Sequence, residues 1–243
     1  MTDAFGRAIR DHARGGRDEP LLHRDGGETV EHPIESFYFT GFDPEANAGD
    51  EWLASQLKGP LVDLGAGAGR HALYFQERFE TVALEPSPAL VETMGDRGVD
   101  DAREGDMFAL REQFSRDRFG SALANGTQLG LAGSMRGLTA FFGDLAHVTA
   151  PDATAVLDCY DPTHPATADL VGYRDDPTPG LAHRVTFFEY DGETDPILRF
   201  RLFSPDRLRE AAVGTDWTVS EVVRGDAGTE HHYRAALRKR DDG

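Results

Sequence analysis

The sequence feature that most constrains the fold is a short apolar run followed by three alternating glycines, within residues 61 to 76. Residues 61 to 64 read Leu-Val-Asp-Leu and predict a buried strand, and the apolar spacing after the glycines predicts a helix. Between them lie Gly65, Gly67 and Gly69, which lack a Cβ atom, can adopt positive φ and let a ligand approach the backbone. Strand, glycine turn and helix together predict a nucleotide-binding βαβ unit, whose helix start offers N–H groups to a negative ligand group.

Two acidic residues narrow the kind of ligand that this turn would bind. Asp63 lies two residues before the first glycine, and Glu85 ends a second apolar run at residues 81 to 84. A carboxylate at that second strand end can accept hydrogen bonds from a ribose diol. Residues 67 to 72 also fit the dinucleotide pattern G-x-G-x-x-A, but Asp63 would place negative charge near the pyrophosphate. A ligand with an amine therefore fits this site better than one with phosphates.

Several motifs, taken in order, resemble those of class I S-adenosylmethionine-dependent methyltransferases. Residues 63 to 73 (Asp-Leu-Gly-Ala-Gly-Ala-Gly-Arg-His-Ala-Leu) and 82 to 88 (Val-Ala-Leu-Glu-Pro-Ser-Pro) resemble the family's first two motifs. Residues 105 to 108 resemble the third motif, where an acidic residue faces the adenine amine. Residues 125 to 131 resemble the segment after strand four, and residues 155 to 158 resemble strand five.

The resemblance covers roughly residues 45 to 237 and implies an α/β fold, with a Rossmann-like doubly wound sheet of mostly parallel strands and an antiparallel last strand. A third strand is expected near residues 101 to 106, where apolar side chains are few. After strand five, residues 161 to 203 form an insertion with a predicted β-hairpin, expected to form one wall of the acceptor site. Residues 1 to 44 form an N-terminal segment with a short helix near its start, which the resemblance suggests as a lid over the cofactor. Residues 238 to 243 form a charged tail.

The resemblance also implies S-adenosyl-L-methionine as the cofactor and assigns roles to the site residues. Asp63 would hold the methionine amine, Glu85 would hold the ribose hydroxyls, and Asp106 would contact the adenine. The residues expected to bind the cofactor are Asp63, Gly65, Ala66, Gly67, Glu85, Pro86, Asp106, Met107 and Asn125. Methyl transfer is an in-line displacement from an activated leaving group, so the protein mainly supplies proximity and orientation.

The acceptor site is less visible in the sequence, because a base is needed only where the acceptor carries a proton at the working pH. The candidate acceptor residues are Tyr38, Asp161, His164, His183 and Tyr190. Each has an alternative interpretation, which is core packing for Tyr38 and a solvated surface position for the other four. No catalytic residue is assigned. The adjacent His231 and His232 would point to opposite faces of a strand, so no metal site is expected.

The charge balance is unusual, since 43 acidic residues oppose 25 basic ones for a net charge of −18, and only Lys58 and Lys239 are lysines. This composition resembles that of proteins from extreme halophiles, with an ordinary acidic protein as the alternative. A low isoelectric point argues against a nucleic-acid partner, although only mildly in an acidic proteome. The sequence contains no run of about 18 apolar residues, so no membrane span is predicted. The single cysteine, Cys159, predicts a reducing, cytoplasmic setting.

The sequence therefore predicts a cytoplasmic methyltransferase that acts on a small-molecule acceptor. Two alternatives stay open, an NAD-linked oxidoreductase of Rossmann type and a non-catalytic S-adenosylmethionine-binding protein. Asp63 counts against the oxidoreductase. Glu85 and the intact glycines count against a lost cofactor site, but they do not bear on turnover. The acceptor, the methylated atom and the oligomeric state are not predicted.

Overall fold

Helices and strands alternate along the chain in the computed structural model, which describes residues 2 to 240. The α-helices are α1 (Ala4–Ala13), α2 (Ala48–Gln56), α3 (Arg70–Phe75), α4 (Pro88–Asp96), α5 (Leu110–Gln113), α6 (Met135–Val148) and α7 (Pro205–Ala212). The strands are β1 (Leu22–Arg24), β2 (Thr29–Glu31), β3 (Leu61–Leu64), β4 (Thr81–Glu85), β5 (Ala102–Glu104), β6 (Phe119–Ala124), β7 (Thr149–Tyr160), β8 (Tyr173–Asp175), β9 (Leu181–Tyr190), β10 (Glu193–Thr194), β11 (Leu198–Phe203), β12 (Trp217–Arg224) and β13 (His232–Lys239). A π-helix at Glu35–Phe39 and two 3-10 helices at Gln128–Ala132 and Pro165–Asp169 complete the elements.

The larger sheet has seven strands in the order β12-β13-β7-β6-β3-β4-β5. From β7 to β5 all neighbours pair in parallel, whereas β13 is antiparallel to β7 and to β12. This confirms the predicted Rossmann-like sheet with mostly parallel strands and a reversed last strand. Strands β3, β4 and β6 are buried along their whole length, as expected for a parallel sheet that is covered on both faces.

Strand β5 is present but spans only three residues, fewer than the predicted stretch of 101 to 106. It lies at the edge of the larger sheet, where Ala102 pairs with Ala83 and Glu104 pairs with Glu85. Its side chains are mostly exposed, so the backbone pairing with β4, rather than an apolar pattern, makes this segment a strand. Asp106 follows two residues after the strand ends.

A smaller, antiparallel sheet contains β1, β2, β8, β9, β10 and β11. Strand β9 is its centre and pairs with β1, β8, β10 and β11. The N-terminal segment therefore contributes two strands that the sequence did not predict, and they join the β-rich region after β7. Since β1 and β2 contain few apolar residues, their pairing with β9 and with each other makes them strands.

Helix α1 ties the N-terminal segment to both sheets. Asp3 caps the helix and accepts a hydrogen bond from Ser87 Oγ at 2.6 Å, directly after β4. From the other side, Asp195 accepts hydrogen bonds from two backbone N–H groups of the first turn, at 2.7 and 2.9 Å. Ile9 is fully buried in a cluster that also contains Leu90 of α4. The N-terminal segment is thereby held next to the end of β4.

The last strand corrects one predicted boundary. Strand β13 continues through Arg238 to Lys239, which the sequence had assigned to the charged tail. Residues 241 to 243 of that tail lie outside the described residues. Among residues 2 to 240, no helix is long and apolar enough to cross a membrane.

Candidate active site

The glycine turn between β3 and α3 has positive φ at each of its three glycines, +70° at Gly65, +59° at Gly67 and +78° at Gly69. At the first and the last glycine, a side chain would also collide with neighbouring side chains. A Cβ atom on Gly69 would lie 2.7 Å from Val99 Cγ2, and one on Gly65 would lie 2.7 Å from Gln128 Cγ. Gly69 therefore permits close packing behind the turn, and Gly65 permits close approach of Gln128 from the loop after β6.

A cavity of about 180 Å³ lies beside the first glycine. It is lined by Gly65, Pro86, Asp106, Met107, Phe108, Gln128 and Leu131. Met107 is buried, while Asp106 is exposed and accepts a hydrogen bond from the Phe108 N–H at 2.8 Å. A mainly apolar lining with one carboxylate suits a flat heteroaromatic ring that carries an amine.

Two buried carboxylates lie at the ends of β3 and β4. Glu85 accepts hydrogen bonds from the Gly67 N–H at 3.0 Å and from the Ser87 N–H at 3.2 Å. Asp63 is 1% exposed, and its Oδ2 accepts no hydrogen bond from residues 2 to 240.

The two carboxyls have raised pKa values for the same main reason. Burial, followed by the charge of Glu85, raises the pKa of Asp63 to about 7. Burial also raises the pKa of Glu85 to about 7, against the lowering effect of its two N–H donors. Because a buried carboxylate without a partner is costly, Asp63 fits a ligand that brings a positive charge.

The loop after β6 is held in place by Asp158, a residue to which motif reasoning gave no role. Asp158 accepts hydrogen bonds from the Gly126 N–H at 2.9 Å and from the Thr127 N–H at 2.6 Å. His232 Nε2 lies 2.8 Å from the same carboxylate. Within the described part of the chain, the buried Asn125 Oδ1 has no partner. Asn125 follows β6, which pairs with β3, the strand of Asp63. The loop therefore adds a second acceptor without a partner at the same edge of the sheet.

A cluster of polar and aromatic side chains lies between the glycine turn and the smaller sheet. Of its members, sequence reasoning had selected only Tyr38. The ring of Tyr38 would lie 3.4 Å from a Cβ atom on the second glycine of the turn, and its OH lies 3.1 Å from His32 Nε2. The ring centroids of His32 and His23 are 5.9 Å apart, and His23 Nδ1 accepts a hydrogen bond from Arg184 Nη2 at 3.4 Å. Arg184 Cζ lies 5.9 Å from the ring centroid of Tyr160. We call these five residues the His–Arg cluster.

The other four predicted acceptor residues already have partners within the chain. Those partners are Arg224 for Asp161, Arg201 and Asp176 for His183, Asp11 for Tyr190, and the Ala166 N–H for His164. Asp161 Oδ2 lies 2.6 Å from the Arg224 guanidinium, and the Tyr190 OH donates to its aspartate at 3.2 Å. The acceptor roles predicted for these four residues stay predictions.

The two adjacent histidines near the C-terminus have separate contacts. His232 binds Asp158, whereas the ring of His231 stacks on Tyr160 with centroids 5.3 Å apart. Among residues 2 to 240, no three His, Cys, Asp or Glu side chains are grouped so that they could hold a metal ion.

Comparison with known proteins gives matches among solved structures, whereas no protein-family model and no curated protein matches the chain. A methyltransferase from Bacteroides fragilis, solved with S-adenosyl-L-homocysteine, is 23% identical with a TM-score of 0.78, over 98% of this chain and 95% of that one. An S-adenosylmethionine-bound amino pentose methyltransferase from Micromonospora echinaspora is 16% identical with a TM-score of 0.56, over 86% and 98%. A glycopeptide N-methyltransferase solved with S-adenosylhomocysteine is 18% identical with a TM-score of 0.57, over 83% and 91%. The chain therefore has the fold of S-adenosylmethionine-dependent methyltransferases.

Proposed function

We propose that this protein is a methyltransferase with S-adenosyl-L-methionine as its cofactor. The observation that carries the proposal is the buried Asp63, whose Oδ2 has no partner among residues 2 to 240 and which lies one residue before the end of β3, the strand that leads into the glycine turn. A carboxylate there can accept charge-assisted hydrogen bonds from the amine of the cofactor. The fold supports the same cofactor, because similar structures were solved with S-adenosylmethionine or S-adenosylhomocysteine bound.

In this proposal the other predicted cofactor residues lie along the same edge of the sheet. Glu85 would bind the ribose hydroxyls with the lone pairs that its two backbone donors leave free. The cavity lined by Pro86, Asp106 and Met107 would hold the adenine. The remaining cofactor residues are Gly65, Ala66 and Gly67 in the turn and Asn125 in the loop after β6.

The bound sulfonium supplies an activated methyl group, so the residues of the chain have to position the acceptor and, where necessary, take a proton from it. Tyr38 and His32 are suitable for this step, because the Tyr38 OH and His32 Nε2 are 3.1 Å apart beside the glycine turn. Burial, followed by the charge of Arg184, lowers the pKa of His32 to about 4. The imidazole is therefore neutral at neutral pH and a weak base, so the pair is suited to position the acceptor through hydrogen bonds rather than to hold its proton.

A small molecule is the acceptor class that fits this arrangement best. The N-terminal segment and residues 161 to 203 contribute strands to one small sheet, and the His–Arg cluster lies between that sheet and the glycine turn. We propose that both segments form walls of the acceptor site and that residues 1 to 44 act as a lid. Two of the similar structures are described as an amino pentose methyltransferase and a glycopeptide N-methyltransferase.

We also propose that the protein works in the cytoplasm at high salt. Of the acidic side chains within residues 2 to 240, the buried ones are Asp50, Asp63, Glu85, Asp158 and Asp161. The other carboxylates are partly or fully exposed, so the net charge of −18 is spread over the surface. Cys159 is a buried free thiol, which suits a reducing compartment.

Isothermal titration calorimetry can test the cofactor. We expect S-adenosylhomocysteine to bind and NAD to show no comparable affinity. Tighter binding of NAD would favour the oxidoreductase and contradict the proposal. Transfer of a labelled methyl group from S-adenosylmethionine to any member of a panel of small acceptors would then separate an enzyme from a non-catalytic binder.

Replacing Glu85 by Ala should weaken S-adenosylhomocysteine binding by roughly 10- to 150-fold, because charge-assisted hydrogen bonds contribute about 1.5–3 kcal/mol. The matched control is Glu80→Ala, an exposed glutamate just before the opposite end of β4 that pairs with Arg118. Its affinity should equal that of the unmodified protein. Unchanged affinity in a folded Glu85→Ala protein would show that Glu85 is not the ribose ligand.

A further inference from the structure

Arg184 is a partly buried guanidinium that has no carboxylate partner within residues 2 to 240. Its Nε donates to the Val171 carbonyl at 2.8 Å, and its Nη2 donates to His23 Nδ1 at 3.4 Å. Burial lowers the pKa of the Arg184 guanidinium, since these neutral acceptors do not replace the lost hydration. Several of its N–H donors are left for another acceptor, because a guanidinium carries five.

The contrast with neighbouring strands makes this arginine unusual in an acidic protein. Arg201 on β11 binds Asp176 at 2.8 Å, and Arg24 on β1 binds Glu189. With 43 acidic residues in the chain, carboxylates are abundant partners for arginine. Arg199 on β11 also has no carboxylate partner in the described residues, but its side chain is exposed to water, whereas that of Arg184 is partly buried.

His23 supplies a second donor to the same region. Arginine can only donate, so His23 Nδ1 must be the hydrogen-bond acceptor and the ring proton must lie on Nε2. His23 is 6% exposed, and its Nε2 has no partner in the described residues. Burial, followed by the charge of Arg184, lowers the pKa of His23 to about 3, which agrees with a neutral ring. A buried N–H without an acceptor is costly, and a ligand oxygen would satisfy it.

Thr186 adds a hydroxyl on the same face of β9. Residues two apart on a strand point to one face, so Arg184, Thr186 and Phe188 share it. Thr186 is fully buried, and its Oγ1 has no partner among residues 2 to 240. The ring of His23 stacks on Phe188 at 4.5 Å between centroids. Strand β9 and its neighbour β1, where His23 lies opposite Phe188, thus place three groups with unused hydrogen-bonding capacity along one face.

We propose that Arg184, His23 and Thr186 bind an oxyanion group, a carboxylate or a phosphate, on the methyl acceptor. A guanidinium, an imidazole N–H and a hydroxyl together suit a group that only accepts hydrogen bonds and carries negative charge. The inference rests on the proposed function, because the His–Arg cluster runs from Arg184 through His32 to Tyr38 at the glycine turn. An acceptor that is held at its anionic end by Arg184 would direct another atom towards the cofactor site.

Calorimetry with two simple probes, inorganic phosphate and acetate, tests the inference. The protein is saturated with S-adenosylhomocysteine, and potassium chloride keeps the ionic strength constant because salt itself acts on an acidic protein. We expect saturable binding of at least one anion, and the tighter one identifies the group. The Arg184→Gln variant should bind that anion roughly 10- to 150-fold more weakly. Thr186→Val, which removes only the hydroxyl, should weaken it roughly 2- to 12-fold.

The matched control is Arg199→Gln, an exposed arginine on β11 that lies opposite Val185. It should bind the anion and S-adenosylhomocysteine as the unmodified protein does. The inference would be overturned if neither anion showed saturable binding. It would also be overturned if Arg184→Gln and Thr186→Val bound the anion as tightly as the unmodified protein does. Binding of S-adenosylhomocysteine is measured in the same samples, so a failure of the oxyanion site is distinguishable from a failure of the proposed function. Anion titrations without S-adenosylhomocysteine decide the Arg184 site even if that ligand does not bind.

Discussion

Replacing Asp63 by Asn should weaken S-adenosylhomocysteine binding by roughly 30- to 4,000-fold, because removing one partner of a buried charge pair costs about 2–5 kcal/mol. The same change should make the ligand-free protein more stable at pH 8, by roughly 1–4 kcal/mol. The reason is that Asp63 Oδ2 is buried with no partner in the described residues, so the native state carries an uncompensated charge. Affinity for the cofactor and stability of the free protein are thus expected to change in opposite directions.

The pH dependence of stability follows from Asp63 and Glu85. Folding raises their pKa from 3.8 and 4.5 to about 7, so the native state binds more protons than the unfolded state between these limits. The free energy of unfolding should therefore fall as the pH rises from about 4 to about 7 and should lose no more from these groups above that range. Asp63→Asn should remove the contribution of Asp63 to this fall in the free energy of unfolding with pH.

Cofactor affinity should have the opposite pH trend. The amine requires an ionised Asp63, whose pKa is raised to about 7. Below that value the affinity of the unmodified protein for S-adenosylhomocysteine should fall by up to about tenfold per pH unit. Calorimetry and urea unfolding between pH 5 and 9 measure both trends on the same protein.

Asp50→Asn is the matched control, because Asp50 is also buried but has partners. It accepts hydrogen bonds from Arg70 Nη2 and from the Asp43 N–H, both at 3.1 Å. Removing its charge leaves a largely buried guanidinium unpaired, so this variant should be less stable. An Asp63→Asn protein that is destabilised and binds S-adenosylhomocysteine as before would contradict the role proposed for Asp63.

Raising potassium chloride from 0.1 to 2 M should increase the melting temperature by on the order of 10 °C, which corresponds to a few kcal/mol for a domain of this size. A net charge of −18 on mostly exposed carboxylates produces repulsion that opposes compaction. The Debye length falls from about 10 Å at 0.1 M to about 3 Å at 1 M, so salt screens most of this repulsion.

Salt also weakens favourable surface ion pairs, such as those of Arg14 with Glu92 and Asp96. Each exposed pair contributes only about 0–1 kcal/mol, so relief of the net repulsion should dominate. Thermal scans across the salt series, with sucrose at equal osmolality as the control, measure the effect. A flat or falling melting temperature would mean that the acidic composition is incidental and that the halophilic interpretation is wrong. Binding of S-adenosylhomocysteine should persist at 2 M, because Asp63 and Glu85 are buried.

The sequence alone predicted the strands, turn and helix around the proposed cofactor site, which are local in the chain. An apolar run, alternating glycines and a second apolar run lie within residues 61 to 85 and fold into β3, the turn, α3 and β4. Asp63 lies in β3, one residue before it ends, and Glu85 ends β4, because a parallel strand is recognisable from its continuous apolar residues. The mostly parallel sheet and its reversed last strand came from the resemblance of the motifs, and the structure confirms them.

Only the tertiary structure revealed the His–Arg cluster. His23 and Arg184 are 161 positions apart, and β1 becomes a strand through its pairing with β2 and β9. Sequence reasoning selected His183, which lies next to Arg184 but points to the opposite face of β9 and contacts Arg201 and Asp176. Which of two adjacent residues faces the site depends on the register and burial of the whole sheet, and local spacing does not specify these. Chemistry that is local in the chain was therefore predictable, whereas chemistry assembled by long-range strand pairing was decided by the fold.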